Sequence, residues 1–248
     1  MPQAVPPGST WNPRRTADGA SCRAAPETTE LEFAWTVCSD LFNAAVRVKE
    51  EPTDRRLFEE VIFCIVGGFG VGFEHALSVT NKVLGLGVAH PAWRDETLKT
   101  RLTEEFGRRQ FEPPASDGSV RRYRYSSRKA DLIVRARSWL LQRPGLVGRL
   151  QSVQPECRRR AELMQCPGLG PKSASWALRN VGLATELAIL DVHIMRALRT
   201  AGRITVERLP RDYELVEASF LAWCRDLGAP PAAFDLFVWE WQRGSLTA

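Results

Sequence analysis

Apolar residues recur with the period of an α-helix along most of the chain after residue 30. The segment 125–143 shows this most clearly, with apolar residues on one face: Leu132, Ile133, Ala136, Trp139 and Leu140. Polar residues occupy the opposite face, which predicts an amphipathic helix there. The same period predicts nine further helices, at 30–48, 54–66, 73–84, 94–107, 156–165, 171–182, 192–200, 210–227 and 229–243.

Clusters of glycine and proline separate these helices and mark the turns between them. They lie at 67–72, 112–119, 143–145, 166–171 and 228–231. No segment alternates between apolar and polar residues as a half-buried strand would, and no internal repeat stands out. We therefore predict an all-α fold of about ten helices in two helical lobes, whose boundaries need not divide the sequence cleanly.

Residues 1–29 are rich in Pro, Gly, Ser, Thr and Ala and show no apolar period, so we predict a flexible tail there. No apolar run approaches the ~18 residues that a membrane span needs, and the N-terminus lacks the apolar core of a signal peptide. The six cysteines form no C-x2-C pair, so neither a zinc site nor an iron–sulfur cluster is indicated. We expect a cytoplasmic protein with reduced thiols.

Charge is distributed unevenly along the chain. The whole protein has a net charge of +5, but residues 101–160 hold 15 Lys and Arg against 6 Asp and Glu, a local net charge of +9. A basic block of this kind suits a polyanion such as nucleic acid. A solvated protein face would show the same charge pattern.

The sequence CPGLGPK at 166–172 is the most informative motif. Gly168 and Gly170 permit a turn with positive φ or a close backbone approach, and Pro171 suits the first position of a helix. The motif predicts a helix–hairpin–helix over about 156–183. The unpaired amides of such a hairpin can hold a phosphate without reading base sequence. A plain helix–helix turn is the alternative.

Lys172 follows the hairpin and falls in the first turn of a helix, where the helix dipole is positive. That position favours the neutral amine, which is a nucleophile; the alternative is a surface lysine that binds phosphate. Asp191 follows the apolar run LAIL and precedes a helix, so we predict that it caps that helix. An amine and a carboxylate together suit base excision, because the carboxylate stabilises positive charge on the sugar and the amine forms a Schiff base.

Four stretches carry a resemblance to a known family: GPKSASWALRNVG, AILDVHIMR, SRKADLIVRAR and the C-terminal FDLFVWEWQRG. They resemble the helix–hairpin–helix DNA glycosylases with a GPD-type loop. Within these, the chain is most similar to the type-2, archaeal-like branch of the 8-oxoguanine DNA glycosylases. The likeness covers about residues 30–248, and it implies one glycosylase domain over that range.

The resemblance implies roles for individual residues. Lys172 would be the Schiff-base nucleophile, Asp191 its essential partner and His193 a contact to phosphate. Trp239 would stack on the flipped base, and the terminal carboxylate would accept hydrogen bonds from a guanine edge. The chain ends in Ala248, whereas the branch ends in lysine. The resemblance implies no organic cofactor and no metal site, and it allows a monovalent cation at the hairpin carbonyls.

The run RRYRYSSRK at 121–129 combines basic and aromatic residues. Its basic members are expected to neutralise phosphates: Arg122, Arg124, Arg128 and Lys129. Tyr123 or Tyr125 is expected to wedge into the base stack, and an exposed basic loop without a wedge is the alternative. Trp176, one helical turn after Lys172, either lines the base pocket or fills the core. The glycine loop at 67–73 departs from the pattern of the branch.

These expectations converge on a bifunctional DNA N-glycosylase and AP lyase. It would remove a damaged purine, 8-oxoguanine, from double-stranded DNA through a lysine Schiff base. It would act as a monomer on a flipped nucleotide in the nucleoid. Two other functions stay open. One is excision of a different, bulky modified base from foreign DNA as a defence, and the other is a non-catalytic DNA-binding module that uses the hairpin alone.

Overall fold

The computed structural model describes residues 27–46, 51–68, 70–205, 208–209 and 211–244. These ranges contain eleven α-helices: α1 (Glu27–Ala45), α2 (Asp54–Val66), α3 (Phe73–Gly85), α4 (Asp95–Gly107), α5 (Ser126–Leu141), α6 (Leu146–Ser152), α7 (Glu156–Leu163), α8 (Pro171–Asn180), α9 (Val192–Thr200), α10 (Tyr213–Asp226) and α11 (Pro231–Arg243). The only β-structure in the described ranges is two isolated bridges. The all-α prediction is therefore confirmed, and no described helix is long and apolar enough to cross a membrane.

The chain divides into two compact units. The central unit is Pro52–Leu183, and the terminal unit joins Met1–Glu51 to Ala184–Ala248. One unit is therefore built from both ends of the chain, and the two units do not divide the sequence cleanly, as the sequence analysis had allowed. Residues 1–26 of the predicted tail lie outside the described residues, while residues 27–29 form the first turn of α1.

The central unit is organised around α2. Nine of its thirteen residues are buried, because apolar side chains occur almost all round this helix. It packs against α3, α5, α6 and α8. The end of α2 thus lies among the helices that carry the hairpin and the basic run.

The terminal unit has an aromatic core contributed by α1, α10 and α11. The Phe234 ring lies 5.3 Å from Trp35 and 5.0 Å from Trp223, both in edge contact. Phe42 and Phe237 meet in the same way at 5.3 Å. Edge-to-face packing of this kind adds to the free energy gained by burying apolar surface. Helix α9, which begins after Asp191, packs on this core through α11.

Ten predicted helices are confirmed to within three residues at either end, but α6 was missed. This helix has only seven residues and begins after Gly145, which adopts a left-handed φ of 72°. Its first amides are held by the side chain of Asp54, which accepts from Gly145 N at 2.6 Å and from Val147 N at 2.8 Å. The capping residue lies about ninety residues earlier in the chain, so no local pattern signals this helix.

Part of the basic block serves the fold. Arg137 is buried and donates to the carbonyls of Val88 and His90 at 2.6 and 2.8 Å. Arg159 is buried and donates to Val153 O at 3.0 Å, and Arg160 donates to Ser175 Oγ at 3.3 Å. These arginines close loops inside the central unit, so the charge available to an outside partner is smaller than the sequence count suggests.

Removing the α6 cap should destabilise the protein. We expect Asp54→Ala to lower the free energy of unfolding by about 1–2 kcal/mol, because two helix-end amides lose their acceptor. Urea unfolding of the purified chain measures this change. Arg55→Ala is the matched control, since the adjacent Arg55–Glu59 ion pair is largely exposed and should contribute little. Equal losses in the two variants would contradict the capping role.

Glu105 should make stability depend on pH. Its side chain is 1% exposed, and hydrogen bonding from Gln110 together with the charges of Lys82 and Arg108 lowers its pKa. The ionised form is therefore favoured in the folded state. The stability that it contributes is present above the ordinary glutamate pKa and is lost as the pH falls through the lowered value.

We accordingly expect Glu105→Gln to destabilise the protein at neutral pH, by an amount that shrinks on acidification. Parallel denaturant unfolding of both proteins between neutral and acidic pH tests this. If the difference in the free energy of unfolding did not change with pH, the charge of the Glu105 carboxylate would not contribute to stability.

Candidate active site

The hairpin joins α7 to α8, and its two glycines serve different purposes. Gly168 has a φ of +91°, and an added Cβ would lie 3.3 Å from Ile65 Cγ1 and 3.4 Å from Leu132 Cβ. Gly170 has extended backbone, with a φ of −107° and a ψ of −175°, and an added Cβ would meet nothing within 4 Å. Gly168 is thus required by the turn, whereas Gly170 leaves space in front of the first turn of α8. No side chain caps that turn among the described residues.

Lys172 lies in the first turn of α8, as predicted. Its Nζ atom is 4.5 Å from the ring centroid of Trp176, so the two side chains share a helix face and make a cation–π contact. The Trp176 ring meets Phe63 edge-on at 5.1 Å, and Phe63 meets Phe73 at 5.6 Å. Both lysine and tryptophan are half-buried. The amine therefore lies beside an aromatic cluster at the end of α2, and Trp176 packs within this cluster. That Trp176 also lines a base pocket stays a prediction.

Tyr123 does not fit the predicted role of a wedge. It is only 2% exposed, and its hydroxyl donates to Val66 O at 2.6 Å. The ring packs against Phe106 at 4.9 Å, and burial raises the pKa of the phenol well above its ordinary value. A wedge must leave the protein surface to enter DNA, so this prediction is wrong. Tyr125 is half-buried and carries the Arg124 guanidinium over its ring at 4.6 Å.

Lys129 is also corrected. Its ammonium donates to Ile65 O and lies 3.5 Å from Gly67 O, at the C-terminal end of α2. Burial, followed by the charges of Arg128 and Lys172, lowers its pKa. Lys129 therefore holds the end of a helix instead of facing a phosphate.

The other basic residues of this run remain at the surface. Arg122, Arg124 and Arg128 are exposed. They leave a smaller basic surface, which we name the arginine patch and define by these three residues. An added Cβ at Gly70, in the glycine loop, would lie 3.1 Å from Arg124 Nη2, so this loop borders the patch. Phe69 in the same loop lies outside the described residues.

Asp191 caps α9, as predicted. Its Oδ1 atom accepts from His193 N at 2.8 Å and from Ile194 N at 3.0 Å. Its own amide donates to Ile189 O at 2.7 Å, which forms a tight turn directly before the helix. The carboxylate is half-buried, so part of it faces away from the protein interior.

His193 and Trp239 lie next to each other in the terminal unit. Their ring centroids are 6.5 Å apart in an edge contact, and the Arg243 guanidinium lies 4.2 Å from the Trp239 centroid. His193 Nδ1 is buried and has no hydrogen-bond partner within the described part of the chain. Ala248, predicted to bring its carboxylate to the base, lies outside the described residues.

The structure thus assembles the predicted residues in two groups. Lys172, Trp176 and the hairpin belong to the central unit, while Asp191, His193 and Trp239 belong to the terminal unit. The Lys172–Asp191 pairing stays a prediction from the sequence.

Sequence reasoning missed the aromatic partners of Trp176 and the side chains that hold the segment before Asp191. Phe63 precedes the glycine loop and Phe73 is its last residue, and each has the sequence pattern of an ordinary core residue of its helix. Glu217 and Asp235, by contrast, could have been recognised from the sequence. Each is a charge inside the apolar stripe of its helix, where a buried carboxylate needs a reason.

Comparison with known proteins agrees with the fold and the motifs. The family described as 8-oxoguanine DNA glycosylase, Ogg-HhH, matches residues 115–229. The 8-oxoguanine DNA glycosylase/AP lyase of Thermotoga maritima is 28% identical over 220 residues, which cover 87% of this chain and 93% of that protein. The Thermoplasma acidophilum protein of the same name is 31% identical over 125 residues, or 50% of this chain and 59% of the relative.

Solved structures give the same result. The 8-oxoguanine DNA glycosylase of Thermotoga maritima superposes with a TM-score of 0.64 and 27% identity, over 88% of this chain and 96% of that one. The Methanocaldococcus jannaschii 8-oxoguanine glycosylase/lyase, in complex with a 15mer DNA containing 8-oxoguanine, shares the fold with a TM-score of 0.64 at 21% identity, covering 88% of this chain and 97% of that one. In its motifs, its helical fold and these relatives, the chain is similar to the helix–hairpin–helix 8-oxoguanine DNA glycosylases.

Proposed function

We propose that the protein is a DNA N-glycosylase with AP lyase activity, and that it removes 8-oxoguanine from double-stranded DNA through a Schiff base on Lys172. The observation that carries this proposal is the position of the Lys172 amine. It lies in the first turn of α8, directly after the hairpin and beside an aromatic cluster. The names of the relatives support the substrate.

The chemistry follows from an amine and a carboxylate acting on one sugar. The Lys172 amine attacks C1′ of the flipped nucleotide, and the bond between C1′ and the base nitrogen breaks. Asp191 stabilises the positive charge that develops on the sugar as the base leaves with a proton. The lysine nitrogen then expels O4′ from C1′, and O4′ takes up a proton, so that the sugar ring opens to a protonated Schiff base (iminium). This iminium acidifies C2′, and loss of a C2′ proton to solvent expels the 3′ phosphate by β-elimination and nicks the strand. Water then releases the lysine.

Binding to DNA would use contacts that ignore sequence. The first-turn amides of α8 have no intrahelical partner and would hold a phosphate, and an added Cβ at Gly170 would meet nothing within 4 Å. The arginine patch would neutralise further phosphates along the backbone. By the resemblance to the family, His193 would contact another phosphate. The protein would act as a monomer on an extruded base.

The comparisons favour this function over its two alternatives. A non-catalytic module would need the hairpin but no amine beside it, whereas Lys172 is present and the relatives are named as enzymes. A bulky modified base as substrate was motivated by the glycine loop and the terminal residue. Relatives that match across 87% of the chain are named for 8-oxoguanine.

Borohydride trapping should test the Schiff base directly. We expect wild-type protein to form a covalent adduct with a duplex containing 8-oxoguanine, and Lys172→Gln to form none. Base excision should fall by about 10³-fold or more in this variant, because the nucleophile is lost. Lys99→Gln is the control, since Lys99 lies on α4 in an ion pair with Asp131. An adduct that persists in Lys172→Gln would overturn the assignment.

The arginine patch should determine the salt dependence of binding. We expect Arg122→Ala and Arg128→Ala each to flatten the plot of log K against log salt, by about 0.9 for each phosphate that the variant no longer neutralises. Fluorescence anisotropy with an undamaged duplex measures the slope without catalysis. Lys129→Met is the matched control, because its ammonium is already held by carbonyls of α2 and should leave the slope unchanged. Unchanged slopes in the arginine variants would remove the patch from the interface.

A further inference from the structure

We infer that two buried carboxylates, Glu217 on α10 and Asp235 on α11, are positioning residues that hold Asp191 in place for base excision. This inference rests on the proposed function, since it assigns the two acids a role through Asp191. Each of them is 7% exposed, and each accepts a backbone amide of the segment between α8 and α9 that leads into Asp191.

The contacts fall on two consecutive residues of that segment. Ala188 N donates to Glu217 Oε1 at 3.0 Å, and Ile189 N donates to Asp235 Oδ2 at 3.1 Å. The Tyr213 hydroxyl donates to Ala188 O at 2.8 Å, so Ala188 is held on both its donor and its acceptor side. All of these residues belong to the terminal unit.

The hydrogen bonds at Ala188 and Ile189 lie only two or three residues before Asp191, so they restrain its position. Ile189 O accepts the amide of Asp191 at 2.7 Å, and the Asp191 side chain then binds the first amides of α9. The backbone from Ala188 to Ile194 is therefore fixed by side chains at one end and by a helix cap at the other. Little freedom remains between the anchor and the carboxylate.

Hydrophobic residues would fill these two positions at a lower cost. Burying a carboxylate carries a desolvation penalty, and buried charges are weak contributors to stability. Their contribution here is instead to fix the register of the segment, that is, which of its amides faces each carboxylate. A slip of this segment by one residue would move its backbone by as much as about 3.3–3.6 Å. Two acceptors that bind successive amides oppose that slip, since a slipped segment would present different amides to them.

Precise placement matters more for the excision step than for the lyase step. A carboxylate that stabilises a short-lived positive charge must lie at a defined distance from the sugar, and a displacement of about 1 Å can cost a hundredfold in rate. A preformed abasic site has already lost its base. Its aldehyde reacts with Lys172 without that charge having to develop.

The test compares two rates in Asp235→Leu. One is single-turnover excision of 8-oxoguanine from a duplex, and the other is borohydride trapping on a duplex with a preformed abasic site. We expect the ratio of excision to trapping to fall by about tenfold or more relative to wild type. Asp235→Asn keeps an acceptor oxygen and should restore the ratio. Tyr213→Phe removes only the hydroxyl and provides a milder variant, with a smaller fall in the ratio, should Asp235→Leu fail to fold.

Glu105→Leu is the matched structural control, because it also removes a buried carboxylate, in this case from the other unit. A purely structural loss lowers both rates together, as expected for this control, and the same result in Asp235→Leu and Tyr213→Phe would overturn the inference. Asp191→Asn distinguishes a failure of the proposed function from a failure of the inference about Glu217 and Asp235. If it excises normally, the proposed role of Asp191 fails and the inference fails with it. If it loses excision while the ratio in Asp235→Leu and Tyr213→Phe is unchanged, only the inference fails.

Discussion

The backbone polar groups at helix ends impose the constraint on which this structure most depends. Every helix leaves amides unpaired at its start and carbonyls unpaired at its end, and burial makes them costly unless they find partners. Here the partners come from side chains. Lys129 and Tyr123 hold the last carbonyls of α2, Asp54 holds the first amides of α6, and Asp191 holds those of α9. Most of these contacts join segments far apart in the chain, so they tie helix ends to distant parts of the same unit.

This constraint changes how the motif residues are interpreted. The run at 121–129 looks like a single basic and aromatic surface in the sequence, but the structure divides it. Tyr123 and Lys129 turn inward to the end of α2, while the arginine patch stays at the surface. The Asp191 side chain serves the fold and stays accessible, since one carboxylate oxygen caps α9 while the group is only half-buried. A residue can therefore support the fold and remain available for chemistry.

The helical period predicted the fold and nearly all of its elements, because burial of one face imposes that period on each helix. The hairpin, Lys172 and the cap at Asp191 were also predicted, since glycine, proline and N-cap preferences are local. Helix α6, the burial of Tyr123 and the role of Lys129 could not be predicted. Each depends on a partner 57 to 93 residues away, which no local pattern encodes. Glu217 and Asp235 were predictable only in part. Their charges at apolar positions are visible in the sequence, but their hydrogen-bond partners are known only from the fold.

The two hairpin glycines would be preserved by different selective pressures. At Gly168 any side chain meets a left-handed backbone and the packed atoms of Ile65 and Leu132, so substitution affects folding whether or not DNA is present. At Gly170 the extended backbone accepts other residues and the adjoining space is open, so folding alone does not require glycine there. In a lineage that lost its ligand, Gly170 would be free to drift while Gly168 stayed fixed. Variation at these two positions among descendants would therefore distinguish proteins that keep only the fold from those that still bind at the hairpin.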